Sequence, residues 1–191
     1  ETGRVALKTL ILNGRSRETM GIALQLLARV PNQDVDLLNF LKVILSRSEP
    51  HLLQGQMYYL RSQLAMKMAQ QGSVEERAGL MAIAESDART LLDQFPGLSQ
   101  ITNVYRLLAY AALERQPAQY RAAADFLIQL RDQSRESEDF VDVNRLIGDC
   151  YFLNRDFANA VDFYSAALNR GLGSPRGGEL FLRLISAQVR A

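Results

Sequence analysis

Residues Leu146–Leu168, LIGDCYFLNRDFANAVDFYSAAL, decide how the chain is read. The stretch holds two short amphipathic pieces: Ile147, Gly148 and Tyr151 come first, then Phe157, Ala160, Tyr164, Ala167 and Leu168. Apolar residues recurring at three and four mark one face of a helix, and the polar turn between the pieces marks a break. Small residues at Gly148, Ala160 and Ala167 let two antiparallel helices approach, while the aromatic side chains fill the space between hairpins. The stretch predicts a helical hairpin whose apolar face needs a neighbour.

The same spacing recurs along the chain. YRLLAYAALERQPAQYRAAADFLIQL puts Leu108 and Ala109 where Ile147 and Gly148 stand, Ala112 at the Tyr151 position and Phe126 near the Tyr164 position, with one extra turn residue. VALKTLILNGRSRETMGIALQLLARVP carries Leu7, Gly14, Ala23, Leu26 and a closing Pro31. LAMKMAQQGSVEERAGLMAIAESDARTLLDQFP keeps Leu64, Ala65, Ala84, Ala88 and Pro96 around a longer loop. LRLISAQVRA begins another first helix, with Ile185 and Ser186 at the paired positions and no second helix after it.

This pattern of small and large positions resembles the tetratricopeptide repeat, in degenerate form over most of the chain. The match is best at Ile147–Leu168, where only the closing Pro departs, arriving late as Pro175. The resemblance implies an all-α solenoid of stacked antiparallel helix pairs over residues 1–191 as one repeat domain, with the first helix of each pair lining a concave groove. The helix expected at 34–47 is left over as an irregular unit.

Helical periodicity elsewhere agrees. Ile22, Leu26, Leu27 and Val30, then Leu37, Leu38, Leu41 and Leu45, then Leu80, Ile83 and Leu91, then Phe126, Leu127 and Leu130 form apolar stripes. Gly14, Gly72, Gly97 and Gly171 read as C-terminal breakers, and Pro50, Pro117 and Pro175 as first-turn residues. SVEE at Ser73–Glu76 reads as a capping box. Ten helices are expected, near residues 3–12, 16–29, 34–47, 50–70, 74–95, 100–114, 117–133, 139–153, 156–170 and 176–190.

Composition bounds the function. The chain has 191 residues, 48% hydrophobic and 23% charged, enough apolar material for a substantial core. Its 22 basic and 21 acidic side chains cancel to a net charge of +1, without the broad positive field of a nucleic-acid binder. Apolar runs such as DLLNFLKVIL stop well short of the ~20 residues that span a bilayer, so no membrane insertion is expected. The chain begins ETGR, without Met and without a charged-then-apolar leader, which reads as a fragment of a longer protein.

Catalytic candidates are few. His51 is the only histidine, so neither a His metal cluster nor a Ser-His-Asp triad is expected, and a surface or capping role is. Cys150 stands alone inside a helical pattern and reads as a packed thiol. GLGSPRGG has glycines but lacks the preceding strand of a phosphate loop, and reads as an inter-repeat turn. Glu75 with Glu76, Glu85 with Asp87, and Glu136, Glu138 with Asp139 read as solvated carboxylates. No catalytic residue, metal site or cofactor is expected.

The repeat frame yields one constellation. Aligned on the small residue of each first helix, Arg4, Arg106, Arg145 and Arg183 fall at equivalent positions, on the side that in this family faces the groove. Tyr110 and Asp149 follow the small residue, and Phe152 lies one turn on. Guanidinium forks bind carboxylates in bidentate fashion, and an aromatic anchor beside them suits a peptide groove. The expectation is a noncatalytic scaffold whose groove takes a protein or peptide segment of some acidic character, with the unpaired last helix available for an oligomer contact. The alternatives are a structural spacer or helical domain in a secretion or polysaccharide-export assembly or a cell-wall enzyme, and ion-paired arginines with Asp142 and Asp149 as neutralising neighbours. Leu107 and Leu146 stand where a carboxylate-clamp member of the family would have polar side chains, so that subtype is not expected. Arrays of this family are common in export machinery, so the resemblance leans toward a bacterial periplasm, with the cytoplasm as the alternative.

Overall fold

A computed structural model describes residues 2–47, 49–133, 139–171 and 176–191. Among them run ten α-helices: α1 (Thr2–Asn13), α2 (Arg17–Ala28), α3 (Asp34–Leu45), α4 (Gln54–Gln71), α5 (Val74–Gln94), α6 (Ile101–Glu114), α7 (Tyr120–Gln133), α8 (Phe140–Leu153), α9 (Phe157–Gly171) and α10 (Gly177–Gln188). No strand occurs among the described residues. The chain is all-α, and neighbouring helices pair: α1 with α2, α3 with α4, α4 with α5, and each of α6 to α9 with the helix after it, an arrangement consistent with a helical repeat.

Two helices start later than their prolines suggest. Before α4 the chain makes a turn in which the Gln54 N–H donates to the His51 carbonyl at 2.9 Å. Before α7 the Gln119 N–H reaches back to the Ala112 carbonyl at 2.9 Å, which draws the segment after Pro117 onto the end of α6. Proline suits a first turn but does not compel one, and here a hydrogen-bonded local turn stands between each proline and its helix. Pro175, Glu136, Glu138 and half of the GLGSPRGG stretch, residues 172–175, lie outside the described residues.

Residues 1–98 and 99–191 form two compact units. In the first, Ile11, Met20, Leu27, Leu41, Leu53 and Met57 are the centre of the core. The Ser16 hydroxyl caps α2 by accepting from the Thr19 N–H at 3.4 Å. The buried stripe of α2 is Met20, Ala23, Leu24 and Leu27, so Ile22 and Leu26, expected inside, are exposed. His51 hooks the linker before α4 to α1: its Nε2 bonds the Ile11 carbonyl at 2.8 Å, and its Nδ1 accepts from the Leu53 N–H at 3.0 Å. Ser73 caps α5 through the Glu76 N–H at 3.4 Å, the serine half of the expected capping box.

In the second unit α6, α7, α8, α9 and α10 each pack on the next, and the short α8–α9 connection makes an antiparallel hairpin. α8 ends in a Schellman arrangement: the Asp156 N–H donates to the Tyr151 carbonyl at 2.9 Å, and Arg155 takes a left-handed φ of 62°. Tyr151 stacks on Phe163, and Gly148 lets α9 approach closely at Tyr164.

The first helices of successive pairs share a frame set by their caps. Counted from the N-cap residues Gln100, Asp139 and Arg176, the fourth, eighth and eleventh positions are Val104, Leu108 and Ala111 in α6, and Val143, Ile147 and Cys150 in α8. In α10 they are Leu180, Leu184 and Ala187, with Leu180 and Ala187 buried and Leu184 packed on the core. Leu184 and Ile185, not Ile185 and Ser186, therefore correspond to Ile147 and Gly148. The similarity of Ser to Gly suggested the other frame; burial sets this one.

Candidate interaction surface

Asp149 is the centre of the polar cluster in the second unit. One of its oxygens accepts from the Arg145 Nη1–H at 3.0 Å. The other accepts from the Tyr164 hydroxyl at 2.7 Å and from Arg183 in a short hydrogen bond. Arg183 is held a second time by Glu179, at 2.9 Å from Nη2. Three helices thus meet on one carboxylate: α8 supplies it, α9 the phenol and α10 a guanidinium. Burial and the Asp149 carboxylate push the Tyr164 hydroxyl far above its ordinary pKa, so it is a fixed donor. Its carboxylate partners keep Arg183 charged against the opposing effect of desolvation.

Beside this cluster lies an open cleft of about 490 Å³ lined by Asp149, Phe152, Leu153, Tyr164, Glu179, Leu182, Arg183 and Ser186. Phe152 is fixed by an edge contact with Phe157, ring centroids 5.3 Å apart, and by Arg190 stacked over its face at 5.2 Å. Leu153 and Leu182, which both line the cleft, are exposed. The cleft joins an apolar wall to a polar floor whose donors and acceptors already satisfy one another.

Of the residues singled out in the sequence, Asp149, Phe152 and Arg183 share this cleft, and Arg145 joins it through Asp149. Arg106 is exposed on α6 and pairs with Asp139 at 2.9 Å. Tyr110 is half-buried on α6 and is not among the lining residues. Arg4 belongs to the first unit, where it bonds Gln33. The four arginines are not equivalent rungs. Arg106 and Arg145 stand six residues past their caps, whereas Arg183 stands seven past Arg176; Leu182 takes the equivalent place in α10. Arg183 reaches Asp149 from one position further along its helix because its side chain is long.

These arginines act between successive first helices. Arg106 of α6 pairs with Asp139 at the start of α8, Arg176 at the start of α10 pairs with Asp142 of α8 at 2.5 Å, and Arg183 pairs with Asp149. Arg145 lies within 3.7 Å of Asp142 as well. The neutralising role foreseen for Asp142 and Asp149 is what these contacts describe.

The first unit holds a second cleft, of about 380 Å³, lined by Leu38, Asn39, Lys42, Arg61, Ala82, Ile83, Ser86 and Asp87. In it Asp87, only 2% exposed, receives a bidentate pair from Arg61, at 2.7 Å from Nε and 2.6 Å from Nη2. Burial raises the Asp87 pKa against the pull of the Arg61 hydrogen bonds and charge. Asp87 was expected to be solvated. The signal available in the sequence is its position between Ala84 and Leu91, which are three and four residues away on one face.

Chemical reactivity is low at the two most conspicuous side chains. Both ring nitrogens of His51 are engaged by the backbone, and Cys150 is buried with its thiol pKa pushed up to about 11, by desolvation first and by Asp149 second. Among the described residues no helix is long and apolar enough to cross a membrane. The sequence matches no protein-family model and no curated protein.

Proposed function

We propose that the chain is a noncatalytic protein-interaction module of tetratricopeptide-like construction, and that its second unit binds a partner segment in the cleft between α8, α9 and α10. The observation that carries this reading is the meeting of Phe152, Leu153 and Leu182 with the Asp149–Arg183 pair around one open cleft. Apolar walls supply most of the affinity of a peptide groove, and a few fixed polar groups supply orientation. The partner fitted to it inserts an apolar side chain against Phe152 and directs an acidic or amide group at the outer edge of the Arg145 and Arg183 guanidinium groups. An acidic group must compete with Asp149 and Glu179 for those forks, so the apolar anchor dominates recognition.

The test is capture of partner proteins by the intact chain compared with Phe152→Ala and with Arg145→Glu, each checked for helicity. The reading expects a specific protein retained by the parent chain and lost with Phe152→Ala. Retention unchanged in both variants would remove the cleft as the binding surface.

A second reading is favoured by the inter-helix ion pairs: a structural spacer in a larger assembly, with Arg106–Asp139, Arg176–Asp142 and Arg183–Asp149 serving to hold successive repeats. On that reading Phe152→Ala leaves every interaction intact, whereas reversal of Arg176 lowers stability.

A further inference from the structure

We propose that the cleft of about 380 Å³ between α3, α4 and α5 binds a small organic monocarboxylate, with the carboxylate on Arg61 and Lys42 and the apolar body on Leu38, Ala82 and Ile83. The Asp87 carboxylate takes the Nε–Nη2 side of the Arg61 guanidinium, at 2.7 and 2.6 Å. The Nη1–Nη2 end keeps its two parallel N–H groups, and Arg61 donates no other hydrogen bond among the described residues. That end is a second fork, of the kind that receives a carboxylate in bidentate fashion.

The fork is fixed before a ligand arrives. Asp87 is 2% exposed, and the Tyr58 ring lies 5.6 Å from Arg61 Cζ. A guanidinium held by a buried carboxylate loses little freedom when it binds, which favours affinity. Apolar side chains of similar volume often serve stability as well as a buried ion pair does, so packing alone does not account for this one. Its place on a cleft wall does.

Charge selects the ligand. Arg61 and Lys42 are the cations lining the cleft and Asp87 is the carboxylate, which leaves one positive charge over. Lys42 is exposed, and its ammonium has no hydrogen-bond or ion-pair partner among the described residues. A monoanion neutralises it. Leu38 and Ile83 are half-buried beside these cations and offer apolar surface to the rest of the molecule. The cleft is near the lower bound, roughly 300 Å³, of small-molecule sites, which suits an acid of about ten non-hydrogen atoms.

The inference does not rest on the cleft of the second unit, with which this one shares no residue. It is tested by titrating the intact, isotope-labelled chain with hydrocinnamate to about 10 mM, following backbone amide shifts, beside the same titration with the uncharged hydrocinnamide. Saturable shifts around the cleft are expected for the carboxylate, with a Kd of about 1 mM or below, and binding of the amide about tenfold weaker or more. Lys42→Met, at an exposed and unpaired position, should weaken the carboxylate about tenfold and leave the fold intact. Arg61→Met alone puts the fold at risk, so the fork is removed in the double variant Arg61→Met with Asp87→Leu, which leaves no buried charge and should lose the carboxylate shifts. A chain without saturable shifts at about 10 mM would overturn the proposal. So would equal binding of the amide, or an affinity unchanged in either variant.

Discussion

Gly148 faces the ring of Tyr164 with no room for a side chain: a Cβ at that position would lie 2.6 Å from both Cδ1 and Cε1. The ring cannot swing aside freely, because its hydroxyl donates to Asp149 at 2.7 Å. Gly148→Ala must therefore separate α8 from α9 or break that hydrogen bond. A loss of about 2 kcal/mol is expected from overpacking of this kind, read as a lower urea midpoint with an unchanged slope.

The Arg61–Asp87 pair joins α4 to α5 in the first unit. Removing one partner leaves the other charge buried, so Arg61→Met should cost about 3–5 kcal/mol. The double variant Arg61→Met with Asp87→Leu should regain most of that loss, because no buried charge remains. A double-mutant cycle by chemical denaturation checks both statements, and additivity of the two single losses would count against the pairing.

Cys150 gives an alkaline signature. A thiol whose pKa is raised to about 11 by folding stabilises the folded chain fully below the ordinary thiol pKa, and this contribution is lost as pH rises through about 11. The stability of the parent chain relative to Cys150→Ala should accordingly shrink by about 2 kcal/mol between pH 8 and pH 11. At pH 8 an aromatic disulfide reagent should label Cys150 only after urea opens the second unit.

Arg155 holds a φ of 62° just past the end of α8, a conformation that glycine adopts without strain. Arg155→Gly should stabilise the hairpin by about 0.5–1 kcal/mol, visible as a rise in the midpoint of thermal unfolding.

Helical period and punctuation were legible in the sequence, and ten helices lie close to where they were expected. Their faces were less legible. In α2 the apolar residues outnumber the core positions, so Ile22 and Leu26 competed on equal terms with Met20 and Leu24 until packing chose. In α10 a serine mimicked the small residue of the repeat and shifted the frame by one, which placed Arg183 in line with Arg106 and Arg145; the buried residues put it one position further along. The nearness of Asp149 to Phe152 was legible because both follow Gly148 within about one turn; the cleft they share with Leu182 required the third helix, which no local spacing encodes. Asp87 was missed because a carboxylate on an apolar face announces a buried partner without saying which of nineteen arginines it is.

The two hydrophobic clusters, one built on Ile11, Leu41 and Met57 and the other on Leu127, Ile147 and Tyr164, have no residue in common. Each gathers its apolar side chains from within its own half of the chain. The packing that Gly148→Ala disturbs is therefore that of the second cluster, and no residue of the first cluster takes part in it.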